Sequence, residues 1–277
     1  MSDVDRVIQA HYGQSGLFAS IVAALKRMGK DVNALEPKDL APVDSFHVRG
    51  LAATVELGAH AHLSLEDHVL DVGCGLGGAA RHLALTFGCR VTGIDLTPEY
   101  VDAGNGLSGL LGLQDRVVLQ QGNALELPFA DGAFSAAWSE HAQMNIADKP
   151  TLYREIHRAL RKEGRFLFHD ILQGAGGDPH FPTLWAANPE ASALIAPADF
   201  RRLLMSLGFD IKLWEDKTTE GRDWFRKRVA GLREKGAPPL GIHTLIGAIA
   251  PETLENNLRN LEENRIALVQ GMVEKVG

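Results

Sequence analysis

The chain lacks the features that would export a protein or place it in a membrane. Its N-terminus, MSDVDRVIQA, carries acids where a signal peptide has a basic start and an apolar run. No uncharged apolar stretch reaches the roughly 18–20 residues that a membrane helix needs. Cysteine is scarce: 2 in 277 residues, and Cys74 and Cys89 offer neither a disulfide framework nor metal-ligand spacing. The 11 histidines are scattered, and His60 with His62 is too small a set to coordinate a metal. Positive charge is also short. With 28 Lys and Arg against 35 Asp and Glu, the net charge of −7 has the wrong sign for a general nucleic-acid binder, whose affinity comes from neutralising phosphates. The basic cluster Arg226, Lys227 and Arg228 has Asp223 and Glu234 around it and reads as a solvated helix face. No internal repeat is present. The expectation is a cytoplasmic protein with no nucleic-acid, membrane or metal partner.

What is there is an alternation of short apolar runs and amphipathic segments, which predicts a single domain in three zones. Residues 1–63 read as an N-terminal helical cap, with Ile21, Val22, Leu25 and Met28 at helical spacing. Residues 64–217 alternate strand and helix: HVLDVG, CRVTGID, RVVLQQGN, FSAAWSE and RFLFHDIL as strands, with helices between most of them. LYREIHRALRKEG reads as a helix stopped by Gly164. Strands separated by helices imply an α/β fold with a doubly wound, mainly parallel sheet. Residues 218–277 read as a C-terminal helical extension, with Pro251 to Val276 as one long amphipathic helix and no strand after Lys217. An exposed apolar stripe on that helix would serve a homodimer or a lid.

The chemistry is concentrated after the first strand. Gly73, Gly75 and Gly78 satisfy GxGxxG, where glycines let the backbone turn tightly and approach a ligand. Asp95 ends the second strand, placed to accept both hydroxyls of a ribose. Both features suit a dinucleotide or S-adenosylmethionine alike. Asp71 separates them, because its carboxylate would oppose a pyrophosphate but tolerate the ammonium and sulfonium of S-adenosylmethionine.

Across Leu70 to Ile171, LDVGCGLGG, VTGIDLTPEYV, GNALELPFADGAFSAAWS and LRKEGRFLFHD resemble, in order and spacing, the successive motifs of class I S-adenosylmethionine-dependent methyltransferases. SFHVRGLAATVEL, SEHAQMNIADK and HFPTLWA are similar to the sarcosine/dimethylglycine N-methyltransferase group, near the ubiquinone/menaquinone-biosynthesis methyltransferases. The resemblance implies a Rossmann-like sheet ending in an antiparallel strand pair, with S-adenosylmethionine as cofactor. It implies that Gly73 and Gly75 line the methionine part, Asp95 holds the ribose and Leu96 packs on the adenine. Asn123 and Ala124 would face the adenine edge, and Ser139, after Trp138, would approach the methyl group. Many relatives carry Asp where Asn123 stands; an amide can accept from the adenine amino group and donate to a ring nitrogen.

Methyl transfer from a sulfonium is an in-line displacement, so the protein must chiefly orient its partners and exclude water. Residues just after the strands are the candidates. His141 could remove a proton near neutral pH while Glu140 orients a cationic amine. Gln143 would contact substrate or fix the turn, and Met144 reads as pocket wall. His47 and Arg49 precede a helix that could fold over the cofactor, and the Arg49 fork would suit a substrate carboxylate. Tyr12 could be a lid residue. Trp185, in a loop after the fifth strand, could embrace a cation. The expected function is methylation of a small molecule, with an amine as acceptor. The alternatives are O- or C-methylation of a quinone-like or secondary metabolite, or S-adenosylmethionine binding without catalysis.

Overall fold

A computed structural model describes residues 16–236, 238–241, 243–246 and 250–276. Three helices come first: α1 (Leu17–Arg27), α2 (Pro37–Asp44) and α3 (Leu51–Ala59). α2 starts where Pro37 presets the first turn and where Glu36 and Asp39 satisfy each other's backbone N–H groups. Strands and helices then alternate as β1 (His68–Val72), α4 (Gly78–Phe87), β2 (Arg90–Asp95), α5 (Pro98–Leu110), β3 (Val117–Gln121) and β4 (Phe134–Glu140). They continue with α6 (Lys149–Ala159), β5 (Leu160–Gln173), α7 (Pro197–Ser206) and β6 (Phe209–Asp216). The remainder is α8 (Thr218–Lys235), the short α9 (His243–Ile246), α10 (Ala250–Glu262) and β7 (Ile266–Lys275).

The strands form one sheet in the order β3-β2-β1-β4-β5-β7-β6. β1 to β5 run parallel, and β7 runs antiparallel between β5 and β6. The doubly wound, mainly parallel sheet expected from the alternation is present. One face packs on α6 and α7 through Leu152, Tyr153, Ile156, Phe200 and Leu204. The other packs on α3 and α4 through Leu57, Leu83 and Ala84. A third apolar cluster joins α1, α8 and α10 to Met144, Ile171 and Leu184, which follow or end the parallel strands. Strand order reverses between β1 and β4, which opens a crevice beyond their carboxyl ends.

The C-terminal reading needs correction. The expected single helix over Pro251 to Val276 stops at Glu262, and Ile266–Lys275 is a strand. Leu254, Leu258, Leu261, Leu268 and Met272 recur at a spacing that a helix would also show. Asn264 interrupts it in the left-handed region at φ 55, and the slot between β5 and β6 pairs both edges of the segment. That pairing outweighs the local pattern. The antiparallel strand pair is therefore complete, and the end of the 218–277 extension belongs to the sheet. Leu254 and Leu261 are buried within the chain, so the exposed stripe on which a homodimer was expected is absent from the described residues. A smaller shift concerns Gly164, which lies inside β5 rather than ending α6; Leu160 already pairs with Phe134. Among the described residues, no helix is long and apolar enough to cross a membrane.

β7 also fixes a prediction. A Cβ on Gly271 would lie 2.5 Å from the Phe168 ring and 3.0 Å from the Leu213 carbonyl oxygen, and Phe168 is fully buried. Gly271→Ala should destabilise the fold by about 1–3 kcal/mol through overpacking. Thermal denaturation checks this, and an unchanged Tm would contradict the packing of β7 on β5.

Candidate active site

A cavity of about 370 Å³ opens at the carboxyl ends of β1, β2 and β4. The glycine loop lines one side of it. Gly73 sits at φ 73, and a Cβ there would lie 2.3 Å from the Ala142 side chain. Gly78 starts α4 so close to α2 that a Cβ would meet the Asp44 carbonyl oxygen at 1.9 Å. The same contact is reinforced by Arg81, which donates to the Asp44 carboxylate at 2.5 and 3.3 Å. Its remaining donor reaches the Gly104 carbonyl and Ser108 Oγ, each at 3.1 Å. The N-terminal helices are thereby fastened onto the glycine helix.

Two carboxylates face the space beside the loop. Asp95 accepts from the Gly75 N–H at 2.8 Å and the Thr97 N–H at 2.9 Å, one to each oxygen, which leaves lone pairs for further donors. Burial raises its pKa against the pull of those N–H groups. Asp71 Oδ2 is buried and has no hydrogen-bond partner. Burial, with Glu140 and Asp95 adding to it, pushes the Asp71 carboxyl well above the usual range. A cationic ligand group would satisfy it. Asn123 accepts from the Leu125 N–H at 2.9 Å. That bond uses one lone pair of the oxygen, which leaves a second lone pair and the amide NH2 for a ligand.

Glu140 ends β4 on the other side. Thr54 Oγ1, on α3, lies 3.0 and 3.2 Å from its two oxygens, and His47 Nε2 lies 3.4 Å away. His47 Nε2 is also 3.0 Å from the Gly50 carbonyl and 3.1 Å from Thr54 Oγ1. One proton pattern satisfies these contacts: the His47 Nε2–H is shared between the Gly50 carbonyl and Thr54 Oγ1, and the Thr54 hydroxyl donates to Glu140. His141 occupies the left-handed region at φ 53, a conformation costly for a non-glycine residue and often retained at functional sites. Its ring stacks on His169 at 5.2 Å, and its Nε2 is buried without a partner. His169 is held by the Val48 carbonyl at 3.0 Å.

Burial sets the charge states here. It pushes the Glu140 carboxyl up to about 7. It lowers His47 to about 4 and His169 to about 3. His141 is held well below the ordinary imidazole value by burial, then by His169 and His47. At neutral pH the three imidazoles are therefore uncharged, and Glu140 ionises near neutrality.

Of the residues singled out from sequence, Asp71, Gly73, Gly75, Asp95, Leu96, Asn123, Ala124, Glu140, His141 and His47 line this cavity. Four others do not. The Ser139 hydroxyl donates to the Val72 carbonyl at 3.0 Å inside the sheet. Gln143 donates to the Ile171 carbonyl at 3.1 Å, which fits its turn-fixing alternative. The Trp185 indole donates to Ser192 Oγ at 3.0 Å, and its neighbour Leu184 faces the cavity instead. Arg49 pairs through Nη2 with Glu56 on α3, while its Nη1 is buried without a partner among the described residues. Tyr12 lies outside the described residues. Thr54, Asp44 and Leu245 were missed, since a threonine, an acid or a leucine in a helical stretch carries no motif.

Residues 70–168 match the family described as "Methyltransferase domain". The sarcosine/dimethylglycine N-methyltransferase of Halorhodospira halochloris is 30% identical over 159 residues, covering 56% of each chain. The O-methyltransferase resE of Aspergillus sclerotiorum is 33% identical over 156 residues, again covering 56% of each. The chain spans from 27% to 56% of the length of the first curated relatives it matches. Among solved structures, geranyl diphosphate C-methyltransferase from Streptomyces coelicolor A3(2), in complex with Mg2+, geranyl-S-thiolodiphosphate and S-adenosyl-L-homocysteine, superposes with a TM-score of 0.73. It has 18% identity and covers 99% of both chains; that likeness speaks for the fold. Residues 70–168 thus match a methyltransferase domain, and the chain has the class I Rossmann-like fold of that solved methyltransferase.

Proposed function

We propose that the chain moves the methyl group of S-adenosylmethionine to the nitrogen of a small-molecule amine, in-line. The observation that carries this reading is Glu140, a buried carboxylate with a pKa of about 7 at the cavity wall. An aliphatic amine is protonated at neutral pH and has no lone pair to attack with. Glu140 can attract it as a cation and then take its proton, with a pKa suited to both steps. Thr54 steadies the ionised carboxylate, and His47 braces Thr54. His141, too weak a base for the task expected of it, offers a neutral Nε2 to the same amine.

S-adenosylmethionine, when bound, supplies an activated methyl group on a sulfonium. The residues present suit it. Asp95 would accept from the ribose hydroxyls, and the orphaned Asp71 oxygen would meet the ammonium group. The amide of Asn123 would donate to an adenine ring nitrogen, between Leu96 and Ala124. Gly73 and Gly75 would admit the methionine part. Orientation in such a closed space contributes up to roughly 7–11 kcal/mol of barrier lowering.

Labelled methyl transfer to amines, phenols and quinols tests the acceptor: transfer to amines is expected, and transfer confined to phenols or quinols would overturn the reading. Asp95→Ala should weaken S-adenosylhomocysteine binding by about 1.5–3 kcal/mol, since ionised acceptors give the stronger hydrogen bonds; calorimetry reads it, and an unchanged Kd would remove the ribose assignment. Turnover should rise as pH increases through about 7, where Glu140 ionises, and Glu140→Gln should abolish it. The Thr54 bond favours the ionised form, so Thr54→Val should move this limb to higher pH and Thr54→Ser should restore it. An unmoved profile in Thr54→Val would assign the threonine to structure alone.

A further inference from the structure

We infer that the acceptor is an apolar amine that carries no carboxylate, phosphate or other anionic group, an inference that rests on the amine reading above. Beyond the residues assigned to the cofactor, the cavity is walled by Val43, Phe46, Met144, Ile171, Leu184 and Leu245. Asp44, Asn145 and Asp148 also line it but are engaged by Arg81, the Trp185 carbonyl and the Thr151 N–H; the polar groups facing the acceptor side are the Glu140 carboxylate, the His141 Nε2, which has no partner among the described residues, and His47. Such a wall recognises a hydrocarbon body presenting one basic nitrogen.

The charges around the site point the same way. The described lining of the cavity includes Asp44, Asp148 and Glu140 besides Asp71 and Asp95, and no Lys or Arg. Asp44 is paired with Arg81 and Asp148 accepts from the Thr151 N–H, which leaves Glu140 as the charge on the acceptor side. The basic groups packed nearby lie behind the wall rather than in it. Arg49 and Lys217 both hold Glu56, and the Arg49 Nη1 left over is buried outside the lining. Lys149, at the start of α6, donates from Nζ to the carbonyls of Gln143, Ile146 and Ala193. A substrate anion would enter a desolvated space facing Glu140, with no Lys or Arg in the described lining to meet it. An ammonium group meets the opposite situation beside Glu140. The fully zwitterionic amino acids named for some relatives would fit this half of the cavity poorly.

A matched set of probes tests this on the intact protein: N-methylphenethylamine, N-methylphenylalanine, which adds only a carboxylate, and 4-ethylphenol. Labelled methyl transfer from S-adenosylmethionine is measured for each, together with calorimetric binding to the S-adenosylhomocysteine complex. The apolar amine should show kcat/KM and affinity at least tenfold above its carboxylated counterpart. Equal or better use of N-methylphenylalanine would overturn the inference while leaving N-methylation intact. Methylation of 4-ethylphenol with neither amine used would overturn the amine reading itself. Failure of N-methylphenethylamine to bind the S-adenosylhomocysteine complex would also refute the inference.

Discussion

Asp71, Asp95 and Glu140 end up in one crevice because β1, β2 and β4 finish side by side where the strand order reverses. Each is buried, and Glu140 and Asp95 both push the Asp71 carboxyl upward. Three like charges cannot all ionise there without company. Arg81 offsets Asp71 only partly, because its hydrogen bonds go to Asp44, Gly104 and Ser108. The unliganded cavity is thus electrostatically incomplete, and a ligand with cationic character completes it. In the proposed reaction S-adenosylmethionine would provide that at the Asp71 side and an ammonium acceptor at the Glu140 side. Burial pushes the Glu140 carboxyl up to about 7, and a base near neutrality is what a protonated amine would require.

Holding such groups together depends on the elements around them. Asp44 joins α2 to α4 through Arg81, and the close approach at Gly78 allows it. Lys149 ties the loop after β4 to Ala193, and Asn145 donates to the carbonyls of Trp185 and Ala191 at 2.7 and 2.9 Å. Lys217 and Arg49 converge on Glu56 of α3, the helix that also carries Thr54. The basic side chains near the site act as architecture. Arg49, an arginine in a promising loop, is one of them: its Nη2 holds Glu56 and it does not line the cavity.

The half of the cavity proposed to hold the cofactor was readable from sequence as a cluster because it is built from contiguous motifs on successive βα units. Asp71, the glycines and Asp95 need only strand, turn and strand to fall into place, so their spacing carries the geometry. The acceptor half was not readable in the same way. Thr54 reaches Glu140 across 86 positions, and nothing in LAATVELGA distinguishes that threonine from its neighbours. Proton affinities were equally hidden: His141 is the expected base by residue type, and the burial beside His169 and His47 that lowers its pKa leaves no mark on the sequence. β7 was concealed differently, since its apolar residues continue the period of α10, and only the open slot between β5 and β6 decides for a strand.

The division between the two halves has a consequence for what the family resemblance can say. The matched segment, 70–168, contains the groups assigned to the cofactor, together with Glu140 and His141. Val43, Phe46, His47, Ile171, Leu184 and Leu245 all lie outside it. Relatives bearing the same segment include N-, O- and C-methyltransferases by name, as expected if a shared core activates the methyl group while unshared segments choose its destination. In this chain the lining from those segments is apolar apart from His47 and Asp44, the latter paired with Arg81. On the proposed reading, acceptor choice rests on hydrophobic fit and on Glu140. A change of substrate would require a new cation in the wall rather than any alteration of the glycine loop.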